Sequence, residues 1–129
     1  MRPIHIHTIP HTAQRYSTVG DWFYKMIDGQ ETLVIHVSTM ASWKYEFLVA
    51  LHELVEATLC EFNGIGVDQI DAFDKAFEAK RAAGNTDEPG DDPAAPYRPY
   101  HCVATGIERI AAALLGVCWK TYEDHLNSL

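Results

Sequence analysis

Three polar side chains on one predicted helix are the best candidates for chemistry in this sequence: His52, Glu53 and Glu56. On a helical wheel with about 100° per residue, Glu56 lies about 40° from His52, so both side chains can ligate one metal ion above the helix. Glu53 lies about 100° from His52, where it can hold a water molecule instead of the metal. The spacing favours hydrolysis by a metal-activated water, with Glu53 as the general base. The alternative is an ordinary solvated helix face, because short motifs often match by chance.

Two more residues, which lie much later in the sequence, can complete such a site. A catalytic zinc ion usually has three protein ligands and one open position. His101 and Glu108 share one face of a later predicted helix. His101 is favoured as the third ligand because imidazole suits zinc better than a carboxylate, and Glu108 then either orients that imidazole or is the ligand itself. Two histidines and one carboxylate suit zinc and also iron or manganese.

A long helix must position the His52 motif. Residues from about 42 to 62 contain no glycine or proline and are rich in leucine, alanine and glutamate. Ser42 can cap the start of this helix, and Asn63-Gly64 can end it. Further helices are predicted at about 67–82, 100–115 and 119–126, and the second of these carries His101 and Glu108.

The first 40 residues have the pattern of strands. Alternating isoleucines at 4, 6 and 9 predict a half-buried strand, and apolar stretches at 22–27 and 33–37 flank Asp28-Gly29, a strong hairpin signal. The expected fold is α+β, with a small N-terminal antiparallel sheet packed on three to four helices. The acidic segment at about 84–97, rich in proline and glycine, is the main irregular loop of a single domain that spans 1–129.

Composition disfavours several classes of function. The chain has 129 residues, and 18 acidic against 10 basic residues give a formal charge of −8. Such a surface repels phosphate backbones, so no nucleic-acid partner is expected. The three cysteines form no C-x-x-C pair, and the sequence contains neither a signal-peptide core nor an apolar run long enough for a membrane span. A cytoplasmic protein with reduced thiols and no membrane partner is therefore predicted.

Residues 46–56 resemble the active-site helix of zincin-like metallopeptidases, and Ala-Leu-His-Glu is the closest part. The resemblance implies a minimal zincin-like fold, a protein or peptide substrate, and a zinc ion held by His52 and Glu56, with Glu53 as the base. The sequence departs from the family pattern at one ligand, because Glu56 replaces the second histidine of the motif.

The whole chain also resembles small proteins encoded by phages and prophages, through the loop Asp-Glu-Pro-Gly-Asp-Asp-Pro and the Tyr-Arg-Pro-Tyr-His that follows it. This resemblance implies the cytoplasm of a host cell but no particular activity. It leaves open a non-catalytic function, in which the protein binds a host protein through the exposed acidic loop.

A different metal chemistry is open as well. Glu53-x-x-Glu56 and Asp71-x-x-Asp74 lie on two successive predicted helices and resemble the acidic motifs of all-helical nucleotide pyrophosphatases. Carboxylate ligands of this kind prefer magnesium or manganese. In this interpretation His52 has no role, and the N-terminal sheet is left unexplained.

Overall fold

The computed structural model describes residues 2–129. In this range three strands precede four helices, so the predicted α+β class is confirmed. The strands are β1 (Ile4–Ile9), β2 (Gly20–Ile27) and β3 (Gln30–Ser38), and the helices are α1 (Trp43–Phe62), α2 (Val67–Ala79), α3 (Arg98–Leu114) and α4 (Trp119–Asn127). None of these helices is both long and apolar enough to cross a membrane.

The sheet has β3 at its centre, in the order β1-β3-β2. β2 and β3 form the expected antiparallel hairpin, which turns at Asp28 and Gly29 with φ angles of 50° and 76°. β1 runs parallel to β3, however, so the expected antiparallel sheet is corrected to a mixed one. Parallel neighbours need a long connection, and here the connection contains the whole of β2, which lies at the far edge of the sheet.

α1 and α3 pack side by side in opposite directions. Lys44, near the start of α1, donates a hydrogen bond to the carbonyl of Leu115 just after α3, whereas Glu56, near the end of α1, meets His101 near the start of α3. α1 begins as predicted, because the Ser42 hydroxyl accepts a hydrogen bond from the Lys44 N–H and caps the helix. The two helices that carry the candidate ligands are thus neighbours.

The hydrophobic core lies mainly between the sheet and α1. Its members from these elements include Trp22, Leu33, Ile35, Val37, Leu48, Val49, Ala57 and Cys60. α2 ends at Ala79 rather than at about residue 82, and the loop that follows contains a short 3-10 turn, Pro89–Asp91. Gly90 in this turn is buried against the ring of His101, so the loop closes over one end of the candidate site.

Candidate metal centre

Four ionisable side chains of the predicted site are buried together between α1 and α3. The exposed fractions are 8% for His52, 5% for Glu56, 7% for His101 and 6% for Glu108. Ionisable groups are rarely buried unless they are paired or bind a metal. The alternative of a solvated helix face is therefore wrong for these residues.

Three atoms converge on one point of this cluster. His52 Nε2 lies 3.3 Å from Glu56 Oε2 and 3.2 Å from His101 Nδ1, and the last two atoms are 3.0 Å apart. In a tetrahedral zinc site with bonds of about 2.0–2.1 Å, neighbouring ligand atoms are about 3.3–3.4 Å apart. The three atoms are thus spaced almost as three corners of a zinc tetrahedron, and together they can hold a metal ion.

The far side of each imidazole is bound by a carboxylate. His52 Nδ1 lies 2.9 Å from Glu108 Oε1, and His101 Nε2 lies 2.8 Å from Glu88 Oε2. Because an ionised carboxylate only accepts hydrogen bonds, each imidazole donates its proton on this outer side. Both inner nitrogens then present lone pairs to each other and to Glu56 Oε2. Three lone pairs that face one another need a cation or protons between them.

The structure places Glu108 behind His52 rather than at the convergence point. One carboxylate oxygen accepts from His52, and the other accepts a hydrogen bond of 2.6 Å from the hydroxyl of Tyr122. Glu108 is therefore a positioning residue for His52, whereas the sequence suggested either a ligand or a residue that orients His101. Carboxylates in this position fix the ring orientation and raise the basicity of a ligating imidazole.

Two further contributors were not found from the sequence. Glu88 comes from the irregular loop and binds the outer nitrogen of His101. Trp22 of β2 donates its indole N–H to Glu56 Oε1 at 3.1 Å, which leaves Oε2 free to face the two imidazoles. No local pattern marks either residue, since each reaches the cluster only through the tertiary fold.

The electrostatics of the cluster favour positive charge at its centre. Burial on its own lowers the pKa of both imidazoles, but hydrogen bonds to Glu108 and Glu56 raise the pKa of His52 well above its ordinary value. Against the same burial, hydrogen bonds to Glu56 and Glu88 raise the pKa of His101 to about 10. Burial would raise the pKa of Glu56, yet its bonds to the two imidazoles lower it to about 2. A metal ion would supply the same positive charge.

Glu53 lies beside the cluster and takes no part in its hydrogen bonds. Burial, and next the charge of Glu56, raise the pKa of Glu53 well above its ordinary range. The side chain packs against the start of β2, where a Cβ atom on Gly20 would lie only 2.5 Å from Glu53 Oε1. A larger residue at position 20 would displace the Glu53 carboxylate or the neighbouring Val49 side chain, so Gly20 lets the two elements pack closely.

The cluster forms part of the wall of a cavity of about 310 Å³. His52, Glu53, Glu56 and His101 line it from α1 and α3, and the rest of the wall comes from β2, α2, the 80–97 loop, the segment between β1 and β2, and the C-terminal part of the chain. A cavity of this volume is at the lower end of the range for small-ligand sites. The candidate ligands and Glu53 therefore face a cavity of a size that suits a small ligand.

The acidic pair on α2 already has protein partners. Asp71 accepts hydrogen bonds from the guanidinium of Arg15, and Asp74 accepts from the hydroxyls of Tyr16 and Tyr97. Burial raises the pKa of Asp74 to about 6, against the effect of its two tyrosine partners. Although both residues line the same cavity as Glu53 and Glu56, this arrangement does not favour the magnesium site that the sequence left open.

Comparisons with family models, with curated proteins and with solved structures give no match to this chain. The function must therefore be argued from the geometry of the site.

Proposed function

We propose that this protein is a metal-dependent hydrolase that uses zinc. The observation that carries the proposal is the triangle of His52 Nε2, Glu56 Oε2 and His101 Nδ1, with edges of 3.0–3.3 Å. Two imidazoles and one carboxylate suit zinc, and also manganese or iron, better than magnesium, which prefers oxygen ligands. Three ligands leave one coordination position open for chemistry.

Glu53 is the residue that we assign to proton transfer. A zinc ion at the triangle would supply Lewis acidity to a water molecule or a carbonyl group. Glu53 faces the same cavity and is not bound to the cluster, so its carboxylate is available to accept a proton from water and pass it to the leaving group. Its raised pKa brings it closer to the operating range of a general base.

We further propose a peptide or protein substrate. Gly20, Asp21 and Trp22 of the edge strand β2 line the cavity, so an extended peptide can lie along this strand, whereas the acidic wall disfavours nucleic acids and nucleotides. All three cysteines, Cys60, Cys102 and Cys118, are free thiols, which fits the reducing cytoplasm, the host cytoplasm if the gene is carried by a phage.

Metal analysis with matched variants tests the ligands. Protein purified without chelator should contain about one zinc ion per chain. His101→Gln should lose it, whereas His7→Gln, an exposed histidine on β1, should retain it. A wild-type protein that takes up no zinc on titration contradicts the proposal, and full zinc in His101→Gln refutes the ligand assignment.

Glu53→Gln tests the catalytic step separately. This variant should keep its zinc but should not hydrolyse the quenched fluorescent peptides that the wild type cleaves. Loss of zinc in Glu53→Gln would make Glu53 a ligand instead of a base. Stoichiometric zinc in a wild type that cleaves no peptide would favour the non-catalytic alternative, a protein that binds a host partner around a structural metal.

A further inference from the structure

α3 buries two ionisable side chains and exposes a stripe of large apolar ones. His101 and Glu108 are buried, whereas Ile110 is 64% and Leu114 is 85% exposed. The exposed apolar side chains recur at the spacing of one helix face: Val103, Ile107, Ile110 and Leu114. A helix normally turns such a stripe toward a hydrophobic core. Here the stripe points away from the core of its own chain.

α1 also exposes large apolar side chains. Its inner side joins the hydrophobic core, yet on its outer side Trp43 is 66%, Phe47 is 46% and Phe62 is 87% exposed. Because α1 and α3 lie side by side, their exposed apolar residues form one surface, which we call the α1/α3 face. It consists of Trp43, Phe47, Phe62, Val103, Ile107, Ile110 and Leu114.

The area of this face suits a stable protein interface. If a fully exposed large apolar residue contributes about 200 Å², the exposed fractions of its members amount to roughly 850 Å². The largest apolar patch of a typical monomer is about 300–600 Å², and each partner of a standard interface buries about 800 Å². The face is larger than a monomer usually leaves in water.

Charge indicates what covers the face. The protein carries a net charge of −8, so two copies repel each other over most of their surfaces. The seven members of the face are uncharged, and the neighbouring charges are bound within the chain. Lys44 donates to the carbonyl of Leu115, Glu61 pairs with Arg2, and the guanidinium of Arg109 stacks on Trp119. A second copy therefore meets less negative charge here than over most of the surface.

We propose that the α1/α3 face is the interface of a homodimer. The helix pair of one copy packs on the same pair of the other, so that a four-helix bundle forms around a two-fold axis. A two-fold interface requires a surface that complements itself, and apolar side chains along two antiparallel helices meet this requirement. None of the seven members of the face lines the cavity beside the candidate metal centre. This inference does not depend on the proposed function.

Sedimentation equilibrium of the full chain tests the dimer, with reductant present because Cys102 and Cys118 are exposed. Wild type at micromolar concentrations should have twice the 14.5 kDa mass of one chain. Ile110→Glu should weaken self-association on the order of 100-fold, because it buries an unpaired carboxylate at the centre of the interface. Met26→Glu is the matched control, since Met26 is 63% exposed on β2, outside the face.

Circular dichroism and thermal unfolding establish whether Ile110→Glu is folded. If Ile110→Glu is unfolded, Phe62→Glu, at the exposed end of α1, takes its place in the test. A wild type that remains monomeric at every concentration tested overturns the proposal, and the face would then bind a different partner. Equal dimerisation of wild type and both face variants overturns it too, as does a larger assembly of the wild type.

Discussion

Replacing Glu108 by glutamine separates a residue that positions His52 from a residue that binds the metal. The substitution keeps the shape of the side chain and removes its charge. The amide oxygen can still accept from His52 Nδ1. In the wild type the Tyr122 hydroxyl donates to Glu108, and in the variant the amide N–H₂ can donate to the Tyr122 oxygen instead. The geometry of the cluster should therefore persist, and the change tests the charge alone.

The expected loss of zinc affinity follows from these two hydrogen bonds. A hydrogen bond to a charged group contributes about 1.5–3 kcal/mol, and a neutral one about 0.5–1.5 kcal/mol, so neutralising Glu108 weakens the support of His52 by about 1–2 kcal/mol. That difference corresponds to roughly a fivefold to thirtyfold loss, which overlaps the 10–100-fold range typical for carboxylates behind a metal ligand. The burial of Glu108, which is 6% exposed, keeps solvent from screening the effect.

Competition with a chromophoric chelator measures the zinc dissociation constant of wild type, Glu108→Gln and a control, Glu123→Gln. Glu123 is exposed on α4, so its neutralisation should leave the dissociation constant unchanged. No change in Glu108→Gln would refute the positioning role. A loss far beyond 100-fold in a folded protein would instead make Glu108 a ligand and would contradict the three-atom centre.

Two further substitutions test Glu53 and Asp74. Gly20→Ala should displace the Glu53 carboxylate by about 1 Å, because the new Cβ would lie 2.5 Å from Glu53 Oε1, and should lower hydrolysis on the order of 100-fold with zinc content unchanged. Gly106→Ala is the control, because the space around Gly106 is open, and equal activities of the two variants would refute the role of Gly20. Asp74→Asn should remove a pH dependence of stability. Burial raises the folded-state pKa of Asp74 from 3.8 to about 6, so ionisation destabilises the folded wild type as pH rises through this window. The variant should match wild type near the lower pKa and be more stable above the upper one by up to about 3 kcal/mol, in chemical denaturation with chelator present; an equal difference at both ends would refute this assignment.

Local sequence patterns predicted the elements whose structure depends on neighbouring residues in the chain. The Ser42 cap and the absence of glycine and proline predicted α1, and the positive φ of 74° at Gly64 fits the expected stop. Asp28-Gly29 predicted the hairpin for the same reason. His101 was predicted as a partner of the His52 motif because it shares a helix face with Glu108 and because imidazole is a good zinc ligand.

The missing parts depend on contacts between distant residues. Trp22 meets Glu56 across 34 positions, and Glu88 reaches His101 from a loop without periodicity. The direction of β1 depends on which edge of the sheet β2 occupies, and alternation of isoleucines says nothing about that. The apolar stripe of α3 was visible in the sequence, but periodicity cannot distinguish a stripe that covers the core from one that faces another molecule.

The contacts of Glu56 give a physical reason for a carboxylate at a position where the motif that residues 46–56 resemble has a histidine. Its Oε1 accepts the indole N–H of Trp22, while its Oε2 faces His52 and His101. A histidine at this position would turn one nitrogen to the centre and the other toward Trp22. The indole can only donate, so that outer nitrogen would have to be an acceptor, whereas an imidazole that ligates zinc normally carries its proton there. The carboxylate serves both neighbours at once, because one oxygen accepts from the indole and the other remains for the metal. A carboxylate at position 56 therefore suits the presence of Trp22 on β2 and is compatible with a metal ion at this cluster.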